Sequence, residues 1–316
     1  MRVLLTGADG FAGGWLARRL LAEGHEVIGT RRPGGRPSLV LDIEESERIE
    51  WREMEMTSDA SVTAAAQGRW DIVFHLAAMA SGSEARNDPG LAWEINAAGT
   101  ARLAEALGDR HEELGEDPLL FLASSGEVYG MGNGALRRES DAPQPCSPYA
   151  GSKLGAEIAA LEVSYRTGLR VIVARAFPHI GPHQDTRFVA PALVARLMAA
   201  RHLRAPVIKT GNLDVIRDFL DVRDVVEAYL ALAQRGVPGE AYNVASGEAH
   251  SIDDLLGRLQ QLLGWQVTPE PDARLVRRAD IPHLVGDPSK LHGATGWKPG
   301  LSFDQTLRDL VHAQTR

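Results

Sequence analysis

One cysteine, Cys146, stands in 316 residues. A lone thiol excludes an intrachain disulfide and any cysteine-cluster zinc or iron–sulfur site. The ten histidines fall in no metal-ligand spacing, so no metal is expected. Lysine is nearly as scarce: Lys153, Lys209, Lys290 and Lys298 are the only four, and the other thirty basic residues are arginine. With 42 acidic residues against 34 basic ones the formal charge is −8, and no dense basic run offsets it. Nucleic acids and anionic membranes are held by clustered positive charge, so neither is expected as a partner. No apolar run approaches the ~18 residues of a spanning helix. The N-terminus enters a strand with neither a basic region nor a cleavable apolar stretch before it, which gives the expectation of a cytoplasmic location.

What is present is ordinary globular material, 44% apolar and 24% charged, enough for a sizeable core. The length suits one large domain or two intimate ones. Val3 to Thr6 reads as a strand, Gly7 to Gly13 as a glycine turn, Trp15 to Ala22 as a helix stopped by Gly24, and Val27 to Thr30 as a second strand. Strand, turn, helix and strand within about thirty residues make a βαβ unit, whose strands pair in parallel. The alternation continues through strands at Ile49 to Met56, Ile72 to Leu76, Leu119 to Ser124 and Arg170 to Ala174, with helices at Leu91 to Leu107 and Tyr149 to Tyr165. Met131 to Pro148 is a Gly- and Pro-rich loop. Beyond residue 177 the rhythm loosens into helices at Phe188 to Ala200, Val225 to Leu232, Ile252 to Leu263 and Phe303 to Ala313, with strands near Val207 and Tyr242. The expectation is an α/β fold: a Rossmann-type doubly wound parallel sheet over 1–177, and a smaller C-terminal substrate-binding α/β lobe over 178–316. Segments around 207–245 are expected to return in part to the first sheet.

Gly7, Gly10 and Gly13 sit where a strand turns into a helix. The first permits the tight turn, the second lets backbone approach a pyrophosphate, and the third allows close helix–sheet packing over an anion-binding helix N-terminus. An NAD site places an acid after the second strand for the ribose 2′-hydroxyl. Here Thr30-Arg31-Arg32 stands instead, and arginine accommodates a 2′-phosphate. NADPH is expected over NADH, with NADH still possible.

Tyr149-Ala150-Gly151-Ser152-Lys153 is Tyr-x-x-x-Lys on a helix. With five tyrosines and four lysines in 316 residues, chance supplies about 0.06 such pairs. Residues four apart share a helix face. A lysine cation there is expected to depress the tyrosine pKa from near 10 and fit the phenol for proton exchange with a substrate oxygen. Ser125, at the C-terminal end of a strand where open parallel sheets bind ligands, is positioned to bond the same oxygen.

These residues resemble the extended short-chain dehydrogenase/reductase (NAD-dependent epimerase/dehydratase) superfamily. The resemblance is carried by Thr6 to Gly13, His75-Leu76-Ala77-Ala78, Asn96 with Gly99-Thr100, Ser124 to Gly130 and Tyr149 to Lys153, and it covers nearly the whole chain. Gly181-Pro182, Phe188-Val189, Val207 to Leu213, Arg217 to Val225 and Val285 to Lys290 with Gly296-Trp297 look like its GDP-mannose-derived branch, nearest the GDP-4-keto-6-deoxy-D-mannose reductases. The resemblance implies NADPH-dependent reduction of the C4 keto group of GDP-4-keto-6-deoxy-D-mannose to GDP-D-rhamnose. It implies Ser125, Tyr149 and Lys153 as catalytic residues, with Glu127 beside them. For the cofactor it implies Gly7, Asp9, Gly10, Phe11, Ala12, Gly13, Arg31, Arg32, Glu55, Met56, Leu76, Ala77, Ala78, Met79, Asn96, Ser124, Tyr149, Lys153, Phe177 and His179. For the GDP-sugar it implies Ser125, Gly126, Glu127, Pro178, Phe188, Val189, Lys209, Arg217 and Arg277. A homodimer through the Leu91 to Leu107 and Tyr149 to Tyr165 helices is implied as well.

Three positions depart from the family pattern. Pro178 replaces the usual Asn, Arg278 replaces a Pro, and Ser58 stands where an acid is frequent. The alternatives are a GDP-mannose 4,6-dehydratase and a nucleotide-sugar 4-epimerase. The dehydratase adds an acid/base pair, and in Ser125-Gly126-Glu127 the glycine offers no acid. Gln184 to Arg187 also lacks the double-Arg-Gly stretch of the dehydratases. A non-catalytic NADP-sensing regulator is the reading from another class, and retention of Tyr-x-x-x-Lys weighs against it.

Overall fold

A computed structural model describes residues 1–132, 134–276 and 280–315. Its first half alternates strands β1 (Arg2–Thr6), β2 (Glu26–Arg31), β3 (Glu50–Glu53), β4 (Ile72–His75), β5 (Leu119–Ser125) and β6 (Arg170–Ala176) with helices. Those helices are α1 (Phe11–Ala22), α2 (Ile43–Glu47), α3 (Asp59–Ala66), α4 (Gly82–Asn87), α5 (Pro89–Trp93), α6 (Gly99–Leu114) and α7 (Pro148–Thr167). There follow β7 (His179–Ile180), α8 (Val189–Leu203), β8 (Val207–Thr210), β9 (Ile216–Arg217), β10 (Leu220–Asp221), α9 (Val222–Arg235) and β11 (Ala241–Val244). The chain ends with β12 (His250–Ser251), α10 (Ile252–Leu263), β13 (Thr268–Pro271), β14 (His283–Leu284), α11 (Ser289–Thr295) and α12 (Phe303–Gln314).

The central sheet runs β11-β6-β5-β4-β1-β2-β3 among the described residues, every pair parallel. This is the Rossmann-type doubly wound order. Its strand sequence reverses between β1 and β4, and ligands bind at the carboxyl ends of strands at such a switch point. Both faces of the sheet are covered, which is why β1 reads as an unbroken apolar run rather than an alternation. Val3 and Leu5 face a core with Leu16 and Leu20 of α1 and Val225 and Tyr229 of α9. Leu4 faces the other core, with Val62 of α3, Leu103 and Leu107 of α6 and Val163 of α7. A separate apolar cluster joins α8, α10 and α12 through Leu193, Leu197, Leu255, Leu259 and Leu307. From the later residues, β11 extends the central sheet beside β6, whereas β8 pairs with β13 in a two-stranded ribbon.

Two departures from the sequence reading have physical causes. The helix expected from Leu91 to Leu107 is three pieces: α5, a π-helical turn at Glu94–Ala98, and α6. Such widened turns cluster at functional sites, and this one carries Asn96 inward. Helix α3 escaped notice because an Ala-rich segment shows little contrast between its faces. Ser58, where an acid was noted as missing, caps that helix by accepting from Ser61 N–H at 3.3 Å. Similarly, Ser147 accepts from Ala150 N–H at 3.1 Å to start α7 with Pro148 in its first turn, which fixes where Tyr149 enters the site.

Candidate active site

The glycine turn closes at the C-terminal end of β1. Gly7 has φ +70°, and a Cβ there would lie 2.8 Å from the Ala77 nitrogen, so the turn is pressed against the segment leaving β4. A Cβ on Gly13 would come within 2.0 Å of the Gly7 carbonyl oxygen, so no side chain fits. Gly10 caps α1 without a side-chain bond, leaving backbone N–H groups at the helix N-terminus free to face an anion. Phe11 stacks on His179 at 6.2 Å between centroids. Ala12 follows in the first turn of α1.

Beyond β2, the Arg31 guanidinium lies over the Trp51 ring at 5.7 Å, and its buried Nε has no hydrogen-bond partner. The Arg32 backbone N–H bonds the Asp9 carboxyl. Burial raises the Asp9 pKa, partly offset by its backbone bonds and by Arg32 and Arg31. The acid that NAD enzymes carry after the second strand is thus replaced by two guanidinium groups and an aspartate from the glycine turn. The two guanidinium groups fit a dinucleotide with an anionic group at its adenosine end.

Other expected cofactor residues divide by exposure. Leu76, Ala77, Ala78 and Met79 are half-buried along the segment leaving β4, and Glu55 is half-buried beyond β3. Met56 is buried, with its side chain against Gly99 of α6. Asn96 is 1% exposed; its amide accepts from Met79 N–H at 2.8 Å and donates to Ser152 Oγ at 2.9 Å. It therefore holds the Ala77–Met79 segment from behind. Ser124 is also buried and donates to Glu157.

At the ends of β5 and α7 the expected catalytic residues meet. Ser125 and Tyr149 are hydrogen-bonded through their side chains. Ser125 Oγ also accepts from Glu127 N–H at 3.1 Å. Lys153 is buried and donates to the Ala123 carbonyl. The expectation that Lys153 depresses the Tyr149 pKa is corrected by this arrangement. Burial and the Glu127 charge hold the phenol above its ordinary value, and the Ser125 hydrogen bond opposes them. Lys153 instead bears a cost of its own: burial brings its pKa down to about 8 against the pull of Glu157. The phenol is therefore a neutral proton donor at neutral pH.

The expected substrate residues are brought together in part. Gly126 packs on Phe177, and a Cβ would meet its ring at 2.9 Å. Pro178 and Phe188 are half-buried, and Val189 is exposed at the start of α8. Arg217 pairs with Asp280 at 2.7 Å and donates to the Ile281 carbonyl at 2.7 Å. It also acts electrostatically on Cys146 and His283. Lys209 lies on the β8–β13 ribbon, paired with Glu270 at 2.5 Å. Arg277 and the departure at Arg278 lie outside the described residues.

Sequence reasoning missed a buried polar network under the site. Thr6 Oγ1 meets His75 Nδ1 at 2.7 Å, and His75 Nε2 meets Thr100 Oγ1 at 3.0 Å. Burial, aided by the Lys153 charge, drops the His75 pKa to about 3. The Glu157–Arg175 pair, at 2.8 Å, is the other half. Of these residues Glu157 alone had a spacing signal, since it follows Lys153 at the same four-residue interval. Among the described residues no cluster of His, Cys, Asp and Glu could hold a metal, and no helix is long and apolar enough to cross a membrane.

Against known proteins, residues 4–310 match the family model described as GDP-mannose 4,6 dehydratase. The chain is 38% identical to GDP-6-deoxy-D-mannose reductase of Pseudomonas aeruginosa over 76% of its own length and 79% of that protein's. It is 29% identical to UDP-glucose 4-epimerase of Mycolicibacterium smegmatis, over 98% and 97%. Among solved structures, RMD from Pseudomonas aeruginosa complexed with NADPH superposes with a TM-score of 0.83 at 33% identity, covering 99% of this chain and 98% of that one.

Proposed function

The chain belongs to the GDP-mannose 4,6 dehydratase family of the extended short-chain dehydrogenase/reductase superfamily, and from that premise we propose that it is an NADPH-dependent reductase. Its substrate in this reading is GDP-4-keto-6-deoxy-D-mannose, reduced at C4 to GDP-D-rhamnose. What supports the reading is the meeting of Ser125, Tyr149 and Lys153 where β5 ends and α7 begins, beside Gly126, which offers no acid for dehydration. Reduction of a ketone ends with a proton on the carbonyl oxygen, which a protonated Tyr149 phenol can give. The space beside Gly126 supports the same direction, because the Phe177 ring fills the place an added acid would occupy.

The Gly7–Gly13 turn and the α1 N-terminus would hold the pyrophosphate, Arg31 and Arg32 the 2′-phosphate, and the segment after β4 with Lys153 the nicotinamide ribose. When bound, the dihydronicotinamide supplies a hydride to C4. The Ser125 and Tyr149 hydroxyls orient the ketone oxygen and stabilise the charge it gains. Tyr149 transfers its proton to that oxygen, completing the alcohol, and the phenolate regains a proton from water.

The test is two incubations with product mass determined. Loss of NADPH absorbance with the 4-keto sugar and no change in GDP-mannose alone support the reductase. Loss of water from GDP-mannose alone overturns it. The Trp93 and Ile158 side chains are 47% and 63% exposed on a groove of about 740 Å³ that includes Gly151, Leu154 and Gly155. An apolar face of this kind supports a homodimer, and sedimentation showing only monomer at micromolar concentration removes it.

A further inference from the structure

Three consecutive residues at the end of β5 are each bonded to a residue of one α7 face. Ser125 bonds Tyr149, Ala123 accepts from Lys153, and Ser124 donates to Glu157. Tyr149, Lys153 and Glu157 are spaced four apart, so they form a single column along the helix. Only the first two have a place in the chemistry.

Glu157 is a buried carboxylate, its side chain 3% exposed, and Arg175 of β6 grips it from the opposite side. The Arg175 Nη2 lies 2.8 Å from Oε2, and Nε lies 3.1 and 3.2 Å from the two oxygens. The remaining Nη1 donates to the Tyr129 hydroxyl at 3.0 Å, and that hydroxyl donates to Asn243 Oδ1 of β11 at 2.7 Å. Register explains the meeting, since Ser124 and Arg175 are direct neighbours across β5 and β6. A buried ion pair adds little net stability compared with apolar residues of similar volume. The question is what this one does for the site.

We propose that Glu157, fixed by Arg175 and Ser124, is the positioning residue that supplies the counter-charge of Lys153. Lys153 donates to the Ala123 carbonyl, its charge acts on the buried neutral His75 of β4, and Tyr149 precedes it by one turn on the same helix. Glu157 is the one anion acting on it among the charges the structure resolves there. Without it, an ammonium 6% exposed loses the partner that offsets its desolvation, and neutral lysine is the outcome. Arg175 shares the same carboxylate, so it limits how strongly Glu157 holds the lysine. The inference rests on Lys153 being the site lysine of the proposed reductase.

The test does not depend on turnover. With four lysines in the chain, isotope labelling of lysine gives a spectrum in which K153M assigns the buried signal, and its titration is followed in ligand-free enzyme. In Glu157→Gln the Lys153 midpoint should fall by about one unit or more relative to wild type. Glu157→Asp, whose carboxylate is withdrawn by one methylene, should fall between them and carries the test if the glutamine variant does not fold. Arg175→Met should raise the midpoint. A Lys153 midpoint unmoved in both Glu157 variants overturns the proposal. Absence of NADPH-dependent reduction in wild type would instead refute the reductase reading and leave this titration to be judged on its own.

Discussion

Replacing Gly126 by alanine tests whether Phe177 closes the space in which a dehydratase acid would stand. The new Cβ would lie 2.9 Å from two ring carbons of Phe177 and 3.0 Å from a third, against ordinary contacts beginning near 3.4 Å. The ring is 1% exposed and cannot retreat, because Gly286 packs so closely that a Cβ there would also meet it at 2.7 Å. Overpacking of this kind costs about 1–3 kcal/mol, which for a chain of this size lowers the melting temperature by about 2–5 °C. Phe177→Leu opens the space at a cost of its own. In the double variant the methyl fills part of that space, so the two costs should fall short of additivity by about 1 kcal/mol or more. Thermal melts of the four proteins measure this coupling. Additive effects, or an alanine variant as stable as wild type, would refute the steric argument. The activity counterpart uses G126D and G126D with F177L on GDP-mannose. Water loss in the pair but not in the single variant would show that the ring, not only the missing acid, excludes dehydration.

The arginine pair gives a second prediction. Charge-assisted bonds to a phosphate are worth about 1.5–3 kcal/mol, so R31Q with R32Q should weaken NADPH binding about 10- to 100-fold and leave NADH nearly unchanged; equal losses for both cofactors would contradict the assignment. Glu127 raises the Tyr149 pKa, so in E127Q the phenol loses its proton at lower pH, and the alkaline limb of the reduction rate should move to lower pH. A limb that stays or moves upward rejects that role. His75 is held near pKa 3 in the folded protein against about 6.5 unfolded. Between those values the unfolded chain binds the extra proton, so stability falls as pH falls, by about 1.4 kcal/mol per pH unit from this group. Urea melts at neutral and acid pH should show that slope and its loss in H75Q, and an identical slope in both proteins would count against the burial argument.

The parts of the molecule legible in sequence are those whose physics is local. Gly7, Gly10 and Gly13 announce a strand-to-helix turn because Gly7 takes a left-handed φ while Gly10 and Gly13 press on its carbonyl within seven residues, and Tyr149 and Lys153 announce a helix face because their spacing is helical. Met56, Asn96 and Lys209 show where that legibility stops. Each sits in a stretch resembling a binding motif, and each also has a contact that the stretch does not announce: Met56 packs beside Gly99, the Asn96 amide bonds Met79 and Ser152, and Lys209 pairs with Glu270. Sequence position alone does not say which side of the backbone a side chain takes.

The buried charges make the same point more sharply. Arg175 is one of thirty arginines, and nothing near it in the chain distinguishes it from those on the surface. Its partner is 18 residues away, and they meet only because β5 and β6 align Ser124 with Arg175 while α7 lies across both. Desolvation then decides what each charge does. It leaves His75 neutral, draws Lys153 toward neutrality and keeps Tyr149 protonated. A motif read as a lysine activating a tyrosine becomes, once packed, a protonated phenol beside a lysine that needs its own support.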